Sequence, residues 1–200
     1  MVSSNMASCI SKTRSISSWT FQFTGHQKTK DQLVFVKQNT QVDEVFLGGV
    51  KTGRPGRGAL GKTTVLVAVE DKGKAGIGRI RMSVIKDVKS ETILQTIQKL
   101  VASGSIIRTD QHRSYPMIEH HGYTHKPTAK VSYELGEDTT PLVHRVASLL
   151  KRWLLGTHQG GVQVSHLPEY LDEYTFRFNR RKSKSRGKLF YGLVRNMMKK

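Results

Sequence analysis

The sequence predicts an α/β domain built on a mixed five-stranded sheet, a three-strand antiparallel meander followed by parallel strands, with helices flanking it. Three observations lead there. Runs of β-branched residues come first and segments of helical period follow, alternating with further short strands. A hydrophobic content of 36% over 200 residues fills one good core and a small appendage, but not two full domains. Two aspartates, Asp43 and Asp110, fall within or at the end of strands that this order would make neighbours.

The elements follow in sequence. Residues 1–38 are rich in Ser and Thr, hold no acid before Asp31 and show no sustained period, so they read as a leader outside the core, superficially similar to a transit peptide. The domain is expected over 39–182. Val42, Val45 and Leu47 mark a first strand. Gly48 to Gly61 reads as a basic glycine-rich hairpin connection, and Thr63 to Val69 (TTVLVAV) as a buried second strand. Ile80 to Ile85 alternates as the third.

Ser90 is the expected N-cap of a crossover helix. Ile93, Leu94, Ile97, Leu100 and Val101 form its apolar stripe and Gly104 its end. Ser105 to Thr109 supplies a fourth strand, a short helix is expected around Tyr115 to His121, and Gly122 to Lys126 supplies a fifth strand. Thr140-Pro141 starts a helix that Gly156 should stop. Ser165 starts another, with Leu167, Tyr170, Leu171, Tyr174 and Phe178 on one side. The tail, 183–200, continues a basic run. Strand meander, helix, then strands separated by helices is the RNase H-like order.

Thirty-three Lys and Arg against fifteen Asp and Glu leave a formal charge of +18, which implies a polyanionic partner. Nucleic acid is the first choice, and a merely basic ribosome-associated protein the alternative. The single cysteine, Cys9, excludes an internal disulfide and any multi-cysteine zinc site, in keeping with a cytoplasmic setting. No run reaches the roughly 18 apolar residues of a membrane span.

The chemistry centres on Asp43 and Asp110. Neighbouring carboxylates repel each other and are stable together chiefly with a cation between them, the arrangement needed for Mg²⁺-assisted phosphodiester chemistry. Glu44 should point to the opposite face of its strand and is left out.

VDEVFLGG at 42–49, RTDQHRSY at 108–115, LVHRVASLLKRWLLGTH at 142–158 and HLPEYLDEYTFRFNRR at 166–181 together resemble the insertion-sequence transposases with an RNase H-like DDE-type domain. The resemblance is to the subgroup whose third catalytic residue varies. It implies Asp43 and Asp110 as the two aspartates, His144 as the third residue and Lys151 as the basic residue that follows. It also implies Mg²⁺ or Mn²⁺ as cofactor, DNA (element ends and target) as partner, multimers on paired ends, and a bacterial, nucleoid-associated location.

The helical period agrees with that reading. His144 and Lys151 lie nearly two turns apart on one face, while Leu142, Val146, Leu149 and Trp153 form a stripe roughly opposite. Imidazole is softer than carboxylate, so a His144 ligand should favour Mn²⁺. Glu137 and Asp138 are the alternative third acids if the helix begins earlier. Arg54, Arg57, Lys62, Arg152, Arg180 and Arg181 are the expected DNA contacts.

GRGALGKT, Gly56 to Thr63, satisfies the P-loop expression but opens a strand rather than a helix, so it is not read as a nucleotide site. The function expected is metal-dependent DNA strand cleavage and transfer. The alternatives are a truncated, non-catalytic DNA-binding remnant and an RNase H-like nuclease that cuts without joining. The remnant has support in the first 38 residues, where neither a zinc-ribbon cysteine pattern nor a helix-turn-helix is legible.

Overall fold

The computed structural model describes residues 35–48, 62–110, 115–128, 138–159 and 162–185, with 187, 188 and 191. The expected hairpin connection, nearly all of the leader and most of the basic tail lie outside the described residues.

The strands are β1 (Asn39–Leu47), β2 (Thr63–Asp71), β3 (Ile77–Ile85), β4 (Ile106–Thr109) and β5 (Thr124–Pro127), in the sheet order β3-β2-β1-β4-β5. β1 pairs antiparallel with β2 and β2 with β3, whereas β4 runs parallel to both β1 and β5. This is the mixed RNase H-like sheet that the order of elements predicts.

Residues alternate between two cores along β1, as the pleat requires. Val45 and Leu47 pack with Val65, Val67 and Val69 of β2 beneath α2 (Pro141–His158) and α3 (Leu167–Asn179). Val42 faces the other side, where α1 (Ser90–Leu100) contributes Ile93, Leu94, Ile97 and Leu100. The continuous apolar run Val65–Val69 of β2 is explained by its burial on both faces.

Several helix boundaries differ from expectation. Ser90 is the first residue of α1 and not its N-cap; Lys89 holds that position without a side-chain cap bond. α1 ends at Leu100 because Val101 turns extended and bridges Val36, whose backbone bonds to Leu100 and Ala102. The core thus reaches Val36, ahead of the boundary expected at 39. The segment after Tyr115 is a 3₁₀ turn, Pro116–His121, ended by left-handed Gly122.

α2 runs straight through Gly156 to His158 and stops at Gln159, at φ 48°. Its buried strip is Val143, Val146, Ala147, Leu150 and Leu154, so the expected line through Leu142, Leu149 and Trp153 is the strip's edge rather than its centre. A 3₁₀ turn at Val164–His166 leads into α3, which begins at Leu167 instead of Ser165.

β3 is an edge strand, and α3 covers it with polar groups as well as apolar ones. Asn179 accepts from the Ile80 N–H at 2.8 Å and donates to the Ile80 carbonyl at 3.0 Å, taking the place of a neighbouring strand. Arg181 donates to the carbonyls of Ile77, Gly78 and Phe178.

Candidate active site

The site is assembled where β1, β4 and the start of α2 meet. Gln41 pairs with Arg108 in the parallel register of β1 and β4, where the pairing ends; Asp43 and Asp110 follow two residues beyond it, and Asp43 feels the Asp110 charge. The face that Gln41 and Asp43 share is the one α2 covers, since Gln41 accepts a hydrogen bond from the Leu142 N–H at 3.0 Å. Glu44 points to the other side, where its Oε1 accepts from the Tyr115 hydroxyl at 2.7 Å.

Asp43 is nearly buried and well held. Its Oδ1 accepts from the Glu44 N–H at 2.7 Å and its Oδ2 from the Thr140 hydroxyl at 2.6 Å. Thr140 therefore caps α2 by position while its side chain serves Asp43. Burial pushes the Asp43 carboxyl above its ordinary value of 3.8, the Thr140 hydroxyl opposes that rise, and the Asp110 charge adds to it. The two acids are close enough to feel each other.

His144 stands on the first turn of α2 with its Nε2 at 3.3 Å from Asp43 Oδ2 and its Nδ1 at 2.7 Å from Asp138 Oδ1. Asp138 also accepts from the Thr140 N–H at 3.1 Å, so one carboxylate both closes the turn just ahead of α2 and holds the imidazole. Position alone made Asp138 an alternative third acid; its carboxylate instead lies behind His144, on the ring nitrogen turned away from Asp43. Two ligands at right angles around a small octahedral cation lie about 3 Å apart. The His144 to Asp43 separation is close to that edge, and two carboxylates with an imidazole are a donor set that Mg²⁺ or Mn²⁺ accepts. Among the described residues no three His, Cys, Asp or Glu side chains are gathered tightly enough to hold an ion.

The other expected residues are placed as follows. Lys151 is exposed on α2 two turns beyond His144, with Ser148 between them bonded to the His144 carbonyl at 2.9 Å. Arg152 is exposed beside it. Lys62 is exposed just before β2, and Thr63 begins that strand, so the P-loop expression does not open a helix. Arg54 and Arg57 lie outside the described residues. Arg181 is committed to the β3 carbonyls and stacks on Phe178, with 4.1 Å from guanidinium to ring centroid; Arg180 stacks on Phe176 at 3.8 Å.

Reading the sequence missed Gln41 and Thr140. A glutamine two residues before Asp43 and a threonine before Pro141 were the available signals, but only the fold shows that the first anchors α2 to β1 and the second bonds Asp43.

A mixed sheet in this order, with paired acids on its two central neighbours and a helix laid across them, defines the architecture of the RNase H-like strand-processing enzymes. The model of the ISXO2-like transposase domain matches residues 36–179. The chain belongs to that family of insertion-sequence transposases. No curated protein matches it. Among the described residues no helix is long and apolar enough to cross a membrane.

Proposed function

We propose that this chain catalyses metal-dependent cleavage and transfer of DNA strands, with Asp43, Asp110 and His144 as the cation's ligands. The observation that supports the reading is that Asp43 on β1 and Asp110 just after β4 follow neighbouring parallel pairings and feel each other's charge, with the His144 Nε2 against Asp43 Oδ2. A divalent cation there would polarise the attacking and leaving oxygens and neutralise charge gathering at phosphorus.

The chain's own groups do the rest. Thr140 and the Glu44 N–H fix the Asp43 carboxylate, and Asp138 fixes the imidazole. Lys151 and Arg152 line the exposed side of α2, where they attract the phosphate backbone. Attack by water breaks the bond between phosphorus and the 3′ oxygen and releases a 3′-hydroxyl. That hydroxyl then attacks a target phosphorus, so one phosphodiester is exchanged for another and no external energy source is needed.

The test uses duplex DNA spanning the flanks of this chain's own coding sequence, with Mg²⁺ or Mn²⁺. The parent should nick and join strands, and Asp43→Asn and Asp110→Asn should each abolish both. Salt-sensitive binding without cleavage would instead identify a non-catalytic remnant, and cleavage without joining a nuclease.

A further inference from the structure

The helices α2 and α3 cover β1, β2 and β3, and the same side of β4 and β5 carries an open groove of about 490 Å³. The register fixes what faces into it. Arg108 of β4 pairs with Lys126 of β5 and, on its other side, with Gln41 of β1, so both cations stand on the face that bears Asp43 and Asp110. Arg108 is two residues before Asp110, about 6.6 Å along the strand. Both side chains are exposed, and neither makes a hydrogen bond or ion pair among the described residues. Two adjacent exposed cations beside a pair of acids suit a polyanion.

Among the described residues the one acid lining the groove is Asp71, level with the start of β1. Gln41 donates to it at 3.2 Å and the Gly73 N–H at 2.8 Å. Along the groove a negative end at Asp71 gives way to Arg108 and Lys126, and Asp110 follows Arg108 two residues further along the chain. A phosphate backbone is repelled at Asp71 and attracted at Arg108 and Lys126.

We propose that the open face of β4 and β5 is a track for one DNA strand, in which Arg108 and Lys126 hold the phosphates next to the one presented to Asp43 and Asp110. The track rests on the transposase reading above and adds the surface that strand follows. Neither residue is expected from the family motifs as a DNA contact, and both differ from the basic positions on the hairpin, on α2 and after α3.

The experiment is a fluorescence-anisotropy titration of the full chain with labelled duplex from its own flanks, in EDTA so that catalysis plays no part, over a series of NaCl concentrations. Arg108→Gln/Lys126→Gln is compared with the parent and with Lys99→Gln, a cation exposed on α1 across the sheet. Loss of two phosphate contacts should reduce the slope of log K against log salt by about 1.8. For equal affinities extrapolated to 1 M salt, binding at 0.15 M weakens by about thirty-fold. Lys99→Gln should keep the parent slope, and all three proteins should melt together. A double variant with the parent slope, or a Lys99→Gln slope reduced as much, overturns the track while leaving the transposase reading in place. A parent chain that binds no DNA overturns both.

Discussion

Asp138 separates two roles that usually coincide. Its carboxylate accepts from the Thr140 N–H, closing the turn before α2, and from His144 Nδ1 as a buttress. That turn bond contributes about 1 kcal/mol, and Asn can make it as Asp does. Asp138 is 42% exposed and His144 54%, so the ion pair itself adds little to stability. Asp138→Ala should therefore lower Tm by about 2–4 °C for a chain of this size, and Asp138→Asn should leave it nearly unchanged.

The effect on the site is larger, because a buttress of this kind sets which ring nitrogen faces the metal, and losing it costs about 10–100-fold in metal affinity or activity. Mn²⁺ affinity measured by calorimetry, alongside the cleavage rate, gives the comparison. Asp138→Ala should lose about 10–100-fold in both and Asp138→Asn less, since its amide oxygen can still accept from Nδ1. If Asp138→Ala loses only its few degrees and keeps parental Mn²⁺ affinity and cleavage, Asp138 only closes the turn before α2 and does not buttress His144.

Three other expectations follow from the same geometry. His144→Glu converts the donor set to all-oxygen and should shift the ratio of Mg²⁺ to Mn²⁺ activation toward Mg²⁺; an unchanged ratio argues against imidazole ligation. Tyr115→Phe removes a buried donor from the Glu44 carboxylate and should cost about 1.5–3 kcal/mol in denaturant unfolding. In Glu44→Gln the same change should cost less, and equal costs in both backgrounds would deny the bond its weight. Burial pushes the Tyr174 phenol up to about 12. Because its folded value is raised, the stability it confers is complete below about pH 10 and is lost as pH rises through 12. Tyr174→Phe should flatten that alkaline loss in melts between pH 9 and pH 12, and a loss as steep as the parent's would contradict it.

The sheet was legible because its signals are local and strong. The apolar run at 65–69 is buried on both faces, and the β1 alternation divides cleanly between the two cores. The placement of Asp43 beside Asp110 was legible through strand order. Helix ends were less so, since tertiary contacts decide them. Val101 leaves α1 to pair with Val36, and Gly156 stays helical because nothing downstream requires the chain to turn there. The partners of the site were least legible. Asp138 before a helix reads as a cap whether or not a histidine lies within reach. Arg181 reads as a free cation until the edge of β3 is seen to need donors. Arg108 is hidden within a family motif whose aspartate draws attention first.

The measurement that bears most directly on the central claim is an anomalous difference map from crystals grown with Mn²⁺. The account predicts one strong peak about 2.1 Å from an oxygen of Asp43, an oxygen of Asp110 and the Nε2 of His144, with Asp138 still on Nδ1. A peak that leaves out Asp110, or one held elsewhere while Asp43 keeps its bonds to Thr140 and His144, would contradict it.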